Sequence, residues 1–307
     1  MQIPINGEHE PSYLKLHRKG LLEERVRAAL SLLESCTLCP HQCRADRASG
    51  RLGICKTGRK ASVASYTAHF GEETPLVGRF GSGAIFFSSC NLLCSFCQNY
   101  DISHLKGGVE VDATDLGAMM IDLAHRGCHN INFVTPTHVM PQILEGLLVA
   151  VERGLHVPLV YNTGGYDSVE SLKILDGIFD IYMPDFKFWS REWAERFCRA
   201  PDYRERVQQA IKEMHRQVGD LKMDESGTAF RGLLVRHLVM PGGVAGTEEI
   251  MNFLAQEISL DTYVNVMDQY RPCFRAHDDA LINRRITISE YRKALNAAVS
   301  AGLNRLD

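Results

Sequence analysis

The most informative stretch of this chain is Gly81–Asn99, which reads GSGAIFFSSCNLLCSFCQN. Its apolar run at 84–87 predicts a buried strand, and Cys90, Cys94 and Cys97 follow at once with C-x3-C-x2-C spacing. Three thiolates around a cubane [4Fe–4S] cluster leave one iron without a protein ligand, whereas electron-transfer clusters take four cysteines. An open iron can bind and activate a small molecule, so the spacing indicates a catalytic cluster.

Two other interpretations of these cysteines stay open. Cys94 and Cys97 also form half of a zinc knuckle, which Cys90 and His104 would complete. Cysteine is in addition a common small hydrophobe in protein cores. The strand before the motif and the aromatic Phe96 before its last cysteine favour the cluster.

The composition excludes several classes of protein. The chain has 307 residues, 45% of them hydrophobic, and a formal net charge of −3 without a dominant Lys/Arg run, which does not favour nucleic acid as a partner. No apolar run approaches the ~20 residues of a membrane span, and Met1–Gly7 lacks the features of a signal peptide. Ten clustered cysteines without a secretion signal predict metal ligation in the reducing cytoplasm, not disulfides.

Strand and helix patterns alternate along the chain. Apolar runs predict strands at 84–88, 131–134, 158–162, 181–185, 232–239 and 262–267. Amphipathic runs predict helices at 12–34, 113–126, 140–153, 168–178, 190–217, 247–258 and 289–301. Strands that alternate with helices indicate an α/β fold with a parallel sheet and helical crossovers.

The Gly81–Asn99 stretch resembles the radical S-adenosylmethionine (SAM) superfamily, and within it the group related to pyruvate formate-lyase activating enzyme. The resemblance covers roughly residues 36–275. It implies a partial (βα)6 TIM-like barrel, which six strand–helix units match, with the site at the C-terminal ends of the strands. It also implies that a [4Fe–4S] cluster at Cys90, Cys94 and Cys97 cleaves SAM reductively to a 5′-deoxyadenosyl radical, which abstracts hydrogen from a substrate. Oxygen sensitivity and an electron donor such as flavodoxin or ferredoxin follow from the same resemblance.

Several segments after the predicted strands supply candidates for SAM binding. Thr135 and Thr137 occupy the place where the superfamily often has a Gly-Gly-Glu-Pro motif that contacts the SAM amino group, although this chain has no glutamate there. Asn162 and Thr163 align with an Asp-Thr-Asn-Gly segment of the activating enzymes. Asparagine replaces an aspartate of their monovalent-cation site, which puts that site in doubt. Phe96, inside the cysteine motif, is a further cofactor-binding candidate.

Charged candidates follow the next two strands. Asp185 and Lys187 resemble an Asp-Leu-Lys motif and share one face of the strand end, so they are the catalytic candidates, with a structural salt bridge as the alternative. Arg236 opens a stretch that resembles Arg-x-x-x-x-Pro-Gly, and its guanidinium suits bidentate recognition of the SAM carboxylate. Cys128 and Cys198, in or beside helical segments, are expected to be packing residues.

A second cysteine group precedes the barrel. Cys36, Cys39, Cys43 and Cys55 have C-x2-C-x3-C-x11-C spacing, and four thiolates hold either Zn²⁺ or a second [4Fe–4S] cluster. The sequence does not choose the metal, although a cluster is favoured because the assembly machinery already serves this chain. We therefore expect a small N-terminal helix and cysteine-rich metal module at 1–70, followed by the barrel and C-terminal helix at 71–307.

The sequence thus predicts a radical SAM oxidoreductase whose substrate it does not identify. One hypothesis is an activase that abstracts hydrogen from a glycine of a glycyl-radical enzyme. The alternatives are radical modification of a peptide, RNA or small metabolite and, outside catalysis, an iron or zinc scaffold protein. Asn162 and the position of the extra cysteines before the barrel both depart from the activase pattern.

Overall fold

The computed structural model describes residues 9–105 and 107–307. Met1–Gly7, in which the sequence predicts no signal peptide, lies outside the described residues. A helix long and apolar enough to cross a membrane is not found in the described ranges.

The strands form one mostly parallel sheet. Their bounds are β1 Ala61–His69, β2 Ser82–Phe87, β3 Val109–Val111, β4 Ile131–Val134, β5 Leu159–Thr163, β6 Ile181–Pro184, β7 Lys222–Met223, β8 Ala229–Leu238, β9 Tyr263–Met267 and β10 Arg305–Leu306. The order across the sheet is β10-β9-β8-β6-β5-β4-β2-β1-β3, and β7 pairs with β8. Parallel pairing joins β2, β4, β5, β6, β8 and β9, which are the six predicted strands. The prediction of a partial (βα)6 barrel is confirmed.

Helices connect and cover these strands. Their bounds are α1 Ser12–Arg18, α2 Leu21–Ser31, α3 Thr74–Val77, α4 Tyr100–Ser103, α5 Ala113–His125, α6 Met140–Glu152, α7 Val169–Ile174, α8 Arg191–Cys198, α9 Tyr203–Val218, α10 Thr247–Phe253 and α11 Ile288–Ser300. Two predicted helices are each divided in two. The helix predicted at 12–34 breaks at Gly20, whose φ is 67°. The helix predicted at 190–217 breaks at Arg199, whose φ is 54°, and at Ala200, because Pro201 disfavours helical backbone in the residue directly before it.

Residues alternate between the two faces of the parallel strands. On the side that faces the helices, Phe133, Tyr161 and Tyr182 belong to the main hydrophobic core. Val160, Met183 and Leu234 belong to a separate buried cluster inside the barrel, into which α3 inserts Leu76. The carbonyl of Leu76 accepts a hydrogen bond of 2.9 Å from Nδ2 of Asn130, immediately before β4. Leu76 therefore closes the N-terminal end of the barrel, and burial of its side chain contributes about 2 kcal/mol.

The sequence prediction did not include β1. It pairs antiparallel with β2, and β3 pairs antiparallel with β1. The boundary predicted at residue 70 falls directly after this strand, so one strand of the sheet comes from the segment assigned to the N-terminal module. Because β1 runs against β2, the chain arrives at the N-terminal end of the barrel, and residues 70–78 can turn into its interior.

Candidate functional site

The loop after β2 carries the three cysteines of the motif, and backbone contacts fix both of its ends. Ser88 N–H donates to the carbonyl of Ser62 on β1 at 2.8 Å. Ser89, with φ 73°, donates to the carbonyl of Ile102 at 2.9 Å. Within the loop, Ser95 N–H donates to the carbonyl of Phe197 on α8 at 2.8 Å. The loop is thus anchored to β1, α4 and α8.

Hydrogen-bond donors point at two of the three sulfur atoms. Leu92 N–H lies 3.3 Å from Sγ of Cys90, and the Ser103 hydroxyl lies 3.3 Å from Sγ of Cys97. Such donors stabilise thiolates, and hydrogen bonds to ligand sulfurs are typical of iron–sulfur sites. These buried and half-buried thiols, with their donors, fit a [4Fe–4S] cluster bound through Cys90, Cys94 and Cys97.

Cys198, at the end of α8, lies directly beside Cys94, the remaining candidate ligand of the cluster. Its Sγ is 3.3 Å from Sγ of Cys94, and its side chain is fully buried. Sequence patterns predicted only a packing role for Cys198, because it is 104 positions away from Cys94 and no local pattern indicates their contact. The pairing depends on how α8 packs against the cysteine loop.

The thiols lie in surroundings that disfavour a bare thiolate. Burial raises the pKa of Cys90 to about 12 and raises the pKa of Cys97 above its ordinary value. The hydrogen bond with Cys198 and then burial raise the pKa of Cys94, which nearby Lys187 opposes. A buried thiol ionises readily when a metal centre supplies compensating positive charge, so these pKa directions agree with metal ligands.

His104, the candidate fourth zinc ligand, makes a different contact. Its Nε2 lies 3.0 Å from the carbonyl oxygen of Cys94, to which it donates. Within the described residues, no group of three or more His, Cys, Asp or Glu side chains is arranged to hold a single metal ion.

Four predicted site residues from three strands meet at the C-terminal ends of the strands. Asp185 accepts from Lys187 Nζ at 2.5 Å and from Arg236 Nε at 2.8 Å. A second guanidinium nitrogen of Arg236 donates to Oδ1 of Asn162 at 2.7 Å. The side chains of this polar network are largely buried.

The charges of the network stabilise one another. Burial would raise the pKa of Asp185, but Arg236 and Lys187 together hold it below its ordinary value. Burial would likewise lower the pKa of Lys187, but Asp185 raises it well above the usual range. Asp185 is therefore ionised and Lys187 protonated at neutral pH, which fixes the donors and acceptors of the network.

The candidate threonines differ in position. Thr137 donates to Asp167 Oδ1 at 2.7 Å, and Thr163 donates to the other oxygen of Asp167 at 2.6 Å. Both threonines and Asp167 are buried in this local hydrogen-bonded group. Thr135 instead lies at the end of β4 with φ 62°, and its N–H donates to the carbonyl of Asn162 at 2.9 Å.

Phe96 lies in a buried aromatic cluster. Its ring centroid is 5.7 Å from that of Phe188, 6.5 Å from that of Phe197 and 6.4 Å from that of Tyr270. These edge-on and tilted contacts hold the cysteine loop against the segment after β6 and against α8. The cluster also excludes water from that side of the loop.

A cavity of about 550 Å³ opens beside the polar network. Its lining includes Asn162, Arg236 and Gln269, and it includes four residues that the sequence patterns did not indicate: His69, Glu72, Glu73 and Asn265. Glu72 and Glu73 belong to the segment between β1 and α3. In the sequence they appear only as two adjacent acidic residues before Pro75, and this pair belongs to none of the motifs that predicted the other site residues.

Two glycines after β5 allow the cysteine loop to approach the strand ends. A Cβ at Gly164 would lie 2.9 Å from a methyl carbon of Leu92 in the loop. A Cβ at Gly165, where φ is 80°, would lie 2.3 Å from the carbonyl oxygen of Asp185. Larger residues at either position would displace the loop or the strand end.

The N-terminal cysteines also lie close together. Burial raises the pKa of Cys39, and Cys55, Cys36 and Cys43 each lie near enough to raise it further. Arg47 is fully buried, and its Nη1 lies 3.8 Å from Sγ of Cys36. A buried guanidinium needs a negative partner, which an ionised Cys36 would supply. The four cysteines are therefore neighbours in the fold, although the described residues do not bring three of them into an arrangement that would hold a single metal ion.

The two cysteine groups are in direct contact. His41, between Cys39 and Cys43, donates from Nε2 to the carbonyl of Asn91 at 2.8 Å. Asn91 follows Cys90, and its amide donates to the carbonyl of Tyr166 at 2.8 Å. The N-terminal module therefore docks on the cysteine loop of the barrel.

Comparisons with known proteins agree with this geometry. The family described as the Radical SAM superfamily matches residues 84–254, which is more than half of the chain. This chain belongs to the radical SAM superfamily. Membership implies an enzyme that carries out radical chemistry with a [4Fe–4S] cluster and SAM.

Two further matches are similar over much of the chain. The uncharacterized protein MJ0674 of Methanocaldococcus jannaschii is 32% identical over 300 residues, which cover 95% of this chain and 82% of that protein. A solved structure described as native anSMEcpe with bound AdoMet is similar with a TM-score of 0.47 and 11% identity. That match covers 69% of this radical SAM chain, which spans 57% of the length of the solved chain.

Proposed function

We propose that this protein cleaves SAM reductively at a cluster held by Cys90, Cys94 and Cys97, and abstracts a hydrogen atom from a substrate in the adjoining cavity. The observation that carries the proposal is the position of one buried and two half-buried cysteines on one loop beside the network of Asn162, Asp185, Lys187 and Arg236. When bound, the cluster and SAM supply one-electron cleavage of the sulfonium group and hydrogen-atom abstraction.

The residues of the network have distinct tasks in this proposal. Arg236, held by Asp185 and Asn162, presents guanidinium N–H groups to the carboxylate of SAM. Lys187 keeps its proton beside Cys94 and offsets the negative charge of the ligand thiolates. Thr135, at the end of β4, offers its hydroxyl to the polar part of SAM in place of the missing glutamate. In this proposal Thr137 and Thr163 act indirectly, since Asp167 already engages both hydroxyls.

The surroundings of the cysteine loop protect the reaction from water. Phe96, Phe188, Phe197 and Tyr270 pack around one side of the loop. A site without bulk water prevents quenching of reactive species and strengthens the electrostatic interactions of the network.

Asn162 bears on the type of substrate. In the activase pattern, an aspartate of a monovalent-cation site stands where this chain has Asn162. Here the guanidinium of Arg236, a cation of the chain itself, donates to Oδ1 of Asn162 at 2.7 Å. This observation favours radical modification of a substrate that enters the cavity over activation of a glycyl-radical enzyme. An external one-electron donor such as flavodoxin or ferredoxin is part of the proposal.

The test is SAM cleavage by anaerobically reconstituted protein. Reduced with dithionite and given SAM, the wild type is expected to form 5′-deoxyadenosine and to change its electron paramagnetic resonance (EPR) spectrum. The triple Cys90, Cys94, Cys97→Ala variant should do neither, while Cys128→Ala, at a buried cysteine away from the loop, should match the wild type. A wild type that binds iron but shows no SAM-dependent change in its spectrum would support the scaffold alternative instead.

A further inference from the structure

The floor of the cavity carries an acidic pair that the proposed chemistry does not use. Glu72 and Glu73 both line the cavity, and their side chains are 8% and 4% exposed. The pair precedes α3, whose Leu76 closes the N-terminal end of the barrel. Glu72 and Glu73 therefore lie between that closed end and the strand ends that carry the cysteine loop.

Fixed partners satisfy only one oxygen of Glu73. Its Oε1 accepts from Asn265 Nδ2 at 3.1 Å and lies 3.7 Å from Nη1 of Arg236. Its Oε2 is buried without a hydrogen-bond partner among the residues that the structure describes. A buried carboxylate oxygen without a donor is costly, so this oxygen is available to a donor from a ligand.

Two further polar groups beside the pair are also incompletely bonded. Asn132 is fully buried on β4; its amide N–H groups face Glu72, and its amide oxygen has no hydrogen-bond partner within the described part of the chain. Asn132 shares the inner face of β4 with Val134, which lines the cavity. His69 Nδ1 lies 3.4 Å from Oε1 of Glu72, outside hydrogen-bond geometry.

The charges around the cavity leave an excess of carboxylates. Asp185, Glu72 and Glu73 are faced by the two cations Arg236 and Lys187 in the described structure. Burial raises the pKa of Glu72, and repulsion from Glu73 adds to the rise, against attraction from Arg236. A positive group in the cavity would remove this imbalance.

We propose that the Glu72–Glu73 pair binds a cationic nitrogen, an ammonium or guanidinium group, of the organic substrate. Such a group donates several N–H bonds at once, which matches the free Oε2 of Glu73 and the amide oxygen of Asn132. A hard metal cation is a poorer match, because Ca²⁺ takes six to eight oxygen ligands and Mg²⁺ a full octahedron. The inference rests on the proposed function, since it names the substrate class of the same cavity.

The experiment is isothermal titration of the reconstituted protein, saturated with SAM under anaerobic conditions, with probes of similar size. Agmatine and putrescine carry cationic nitrogens, and 1,4-butanediol is an uncharged counterpart of putrescine. We expect at least one cationic probe to bind about tenfold or more tightly than the diol, since hydrogen bonds to buried charges are strong. Comparison of agmatine with putrescine distinguishes guanidinium from ammonium.

Variants identify the pair as the binding group. Glu73→Gln is expected to weaken the cationic probe about tenfold and leave butanediol unchanged. Glu152→Gln, an exposed acid at the end of α6, should bind as the wild type does. The comparison of probes on the wild type requires no variant, so it decides the matter even if Glu73→Gln folds poorly.

Several outcomes would overturn the inference. They are binding of the diol as tight as that of the cationic probes, no binding of agmatine or putrescine, or tight binding of Na⁺, K⁺ or Mg²⁺ in their place. A loss of SAM affinity in Glu73→Gln as large as its loss of probe affinity would also overturn it. Failure of the proposed function is seen separately, as the absence of a SAM-dependent change in the EPR spectrum of the same samples. Cation binding without that change would leave the acidic site standing and remove its role in radical chemistry.

Discussion

At the scale of single residues, Cys198 stands out because its sulfur touches that of a cluster ligand candidate. The Sγ atoms of Cys198 and Cys94 are 3.3 Å apart in a fully buried environment. A thiol that keeps its proton can donate a weak hydrogen bond to a ligand thiolate. Hydrogen bonds to ligand sulfurs stabilise the more negative, reduced state of an iron–sulfur cluster and so raise its reduction potential.

Cys198→Ala is therefore expected to lower the midpoint potential of the catalytic cluster. A hydrogen bond with a net value of ~0.5–1.5 kcal/mol corresponds to a shift on the order of 20 to 60 mV for one electron. The measurement is a redox titration of the reconstituted protein, monitored by EPR. Cys128→Ala controls for loss of a buried thiol elsewhere, and an unchanged or higher potential in Cys198→Ala would contradict the donor role.

The candidate residues show how far sequence patterns reach at this scale. The resemblance to family motifs identified Asn162, Asp185 and Arg236, which meet in one network because they belong to neighbouring parallel strands or follow them. Glu73 was missed because it reaches the cavity from a segment outside the strand–helix repeat. Cys198 was missed because its contact with Cys94 joins α8 to a loop more than a hundred positions away.

At the scale of elements, α11 begins with a capping box that also bonds to a neighbouring element. Thr287 accepts from the N–H of Glu290 at 3.1 Å, and the Glu290 carboxylate accepts in return from the N–H of Thr287 at 2.7 Å. The same carboxylate accepts from Gly242 N–H at 2.7 Å, in the turn after β8. The cap thus joins α11 to the end of the strand that carries Arg236.

Thr287→Ala is expected to lower the free energy of unfolding by about 1 kcal/mol, because an N-terminal N–H loses its acceptor. Urea denaturation of the anaerobic protein measures the change. Ser300→Ala, at the exposed C-terminal end of the same helix, should stay within about 0.5 kcal/mol of the wild type. Equal stabilities of Thr287→Ala and the wild type would show that the capping box contributes little.

Local rules account for most elements and for the places where they end. Periodicity located the six parallel strands, while Gly20 and Pro201 mark the two helix breaks that the broader pattern missed. The antiparallel β1 was not predicted, because it precedes the repeated strand–helix units. It returns the chain to the closed end of the barrel. The insertion of α3 through Leu76 depends on that return.

At the scale of the whole molecule, the N-terminal module and the barrel meet at the catalytic loop. The hydrogen bond from His41 to the carbonyl of Asn91 joins the two cysteine groups. The His41 ring also packs against Tyr166 with a centroid distance of 5.1 Å. The module therefore supports the loop that carries Cys90 and Cys94.

His41→Ala is expected to loosen this support. Loss of a hydrogen bond with a net value of about 1 kcal/mol should increase amide hydrogen exchange in residues 90–94 roughly fivefold. Mass spectrometry of the deuterated, reconstituted protein measures the rates. His156→Ala, whose exposed ring contacts the carbonyl of Gly154, should leave them unchanged, and the same result for His41→Ala would argue against coupling between the module and the loop.

The sequence by itself determined the superfamily, the three-cysteine loop and the six strand–helix units, because these depend on spacing and periodicity along the chain. The tertiary structure alone decided which side chains surround the cavity. Glu73, Asn132 and Arg236 come from separate segments, and they meet only when β1 reverses direction and the parallel strands align. Their interactions depend on burial and on distances across the barrel, which local sequence does not specify.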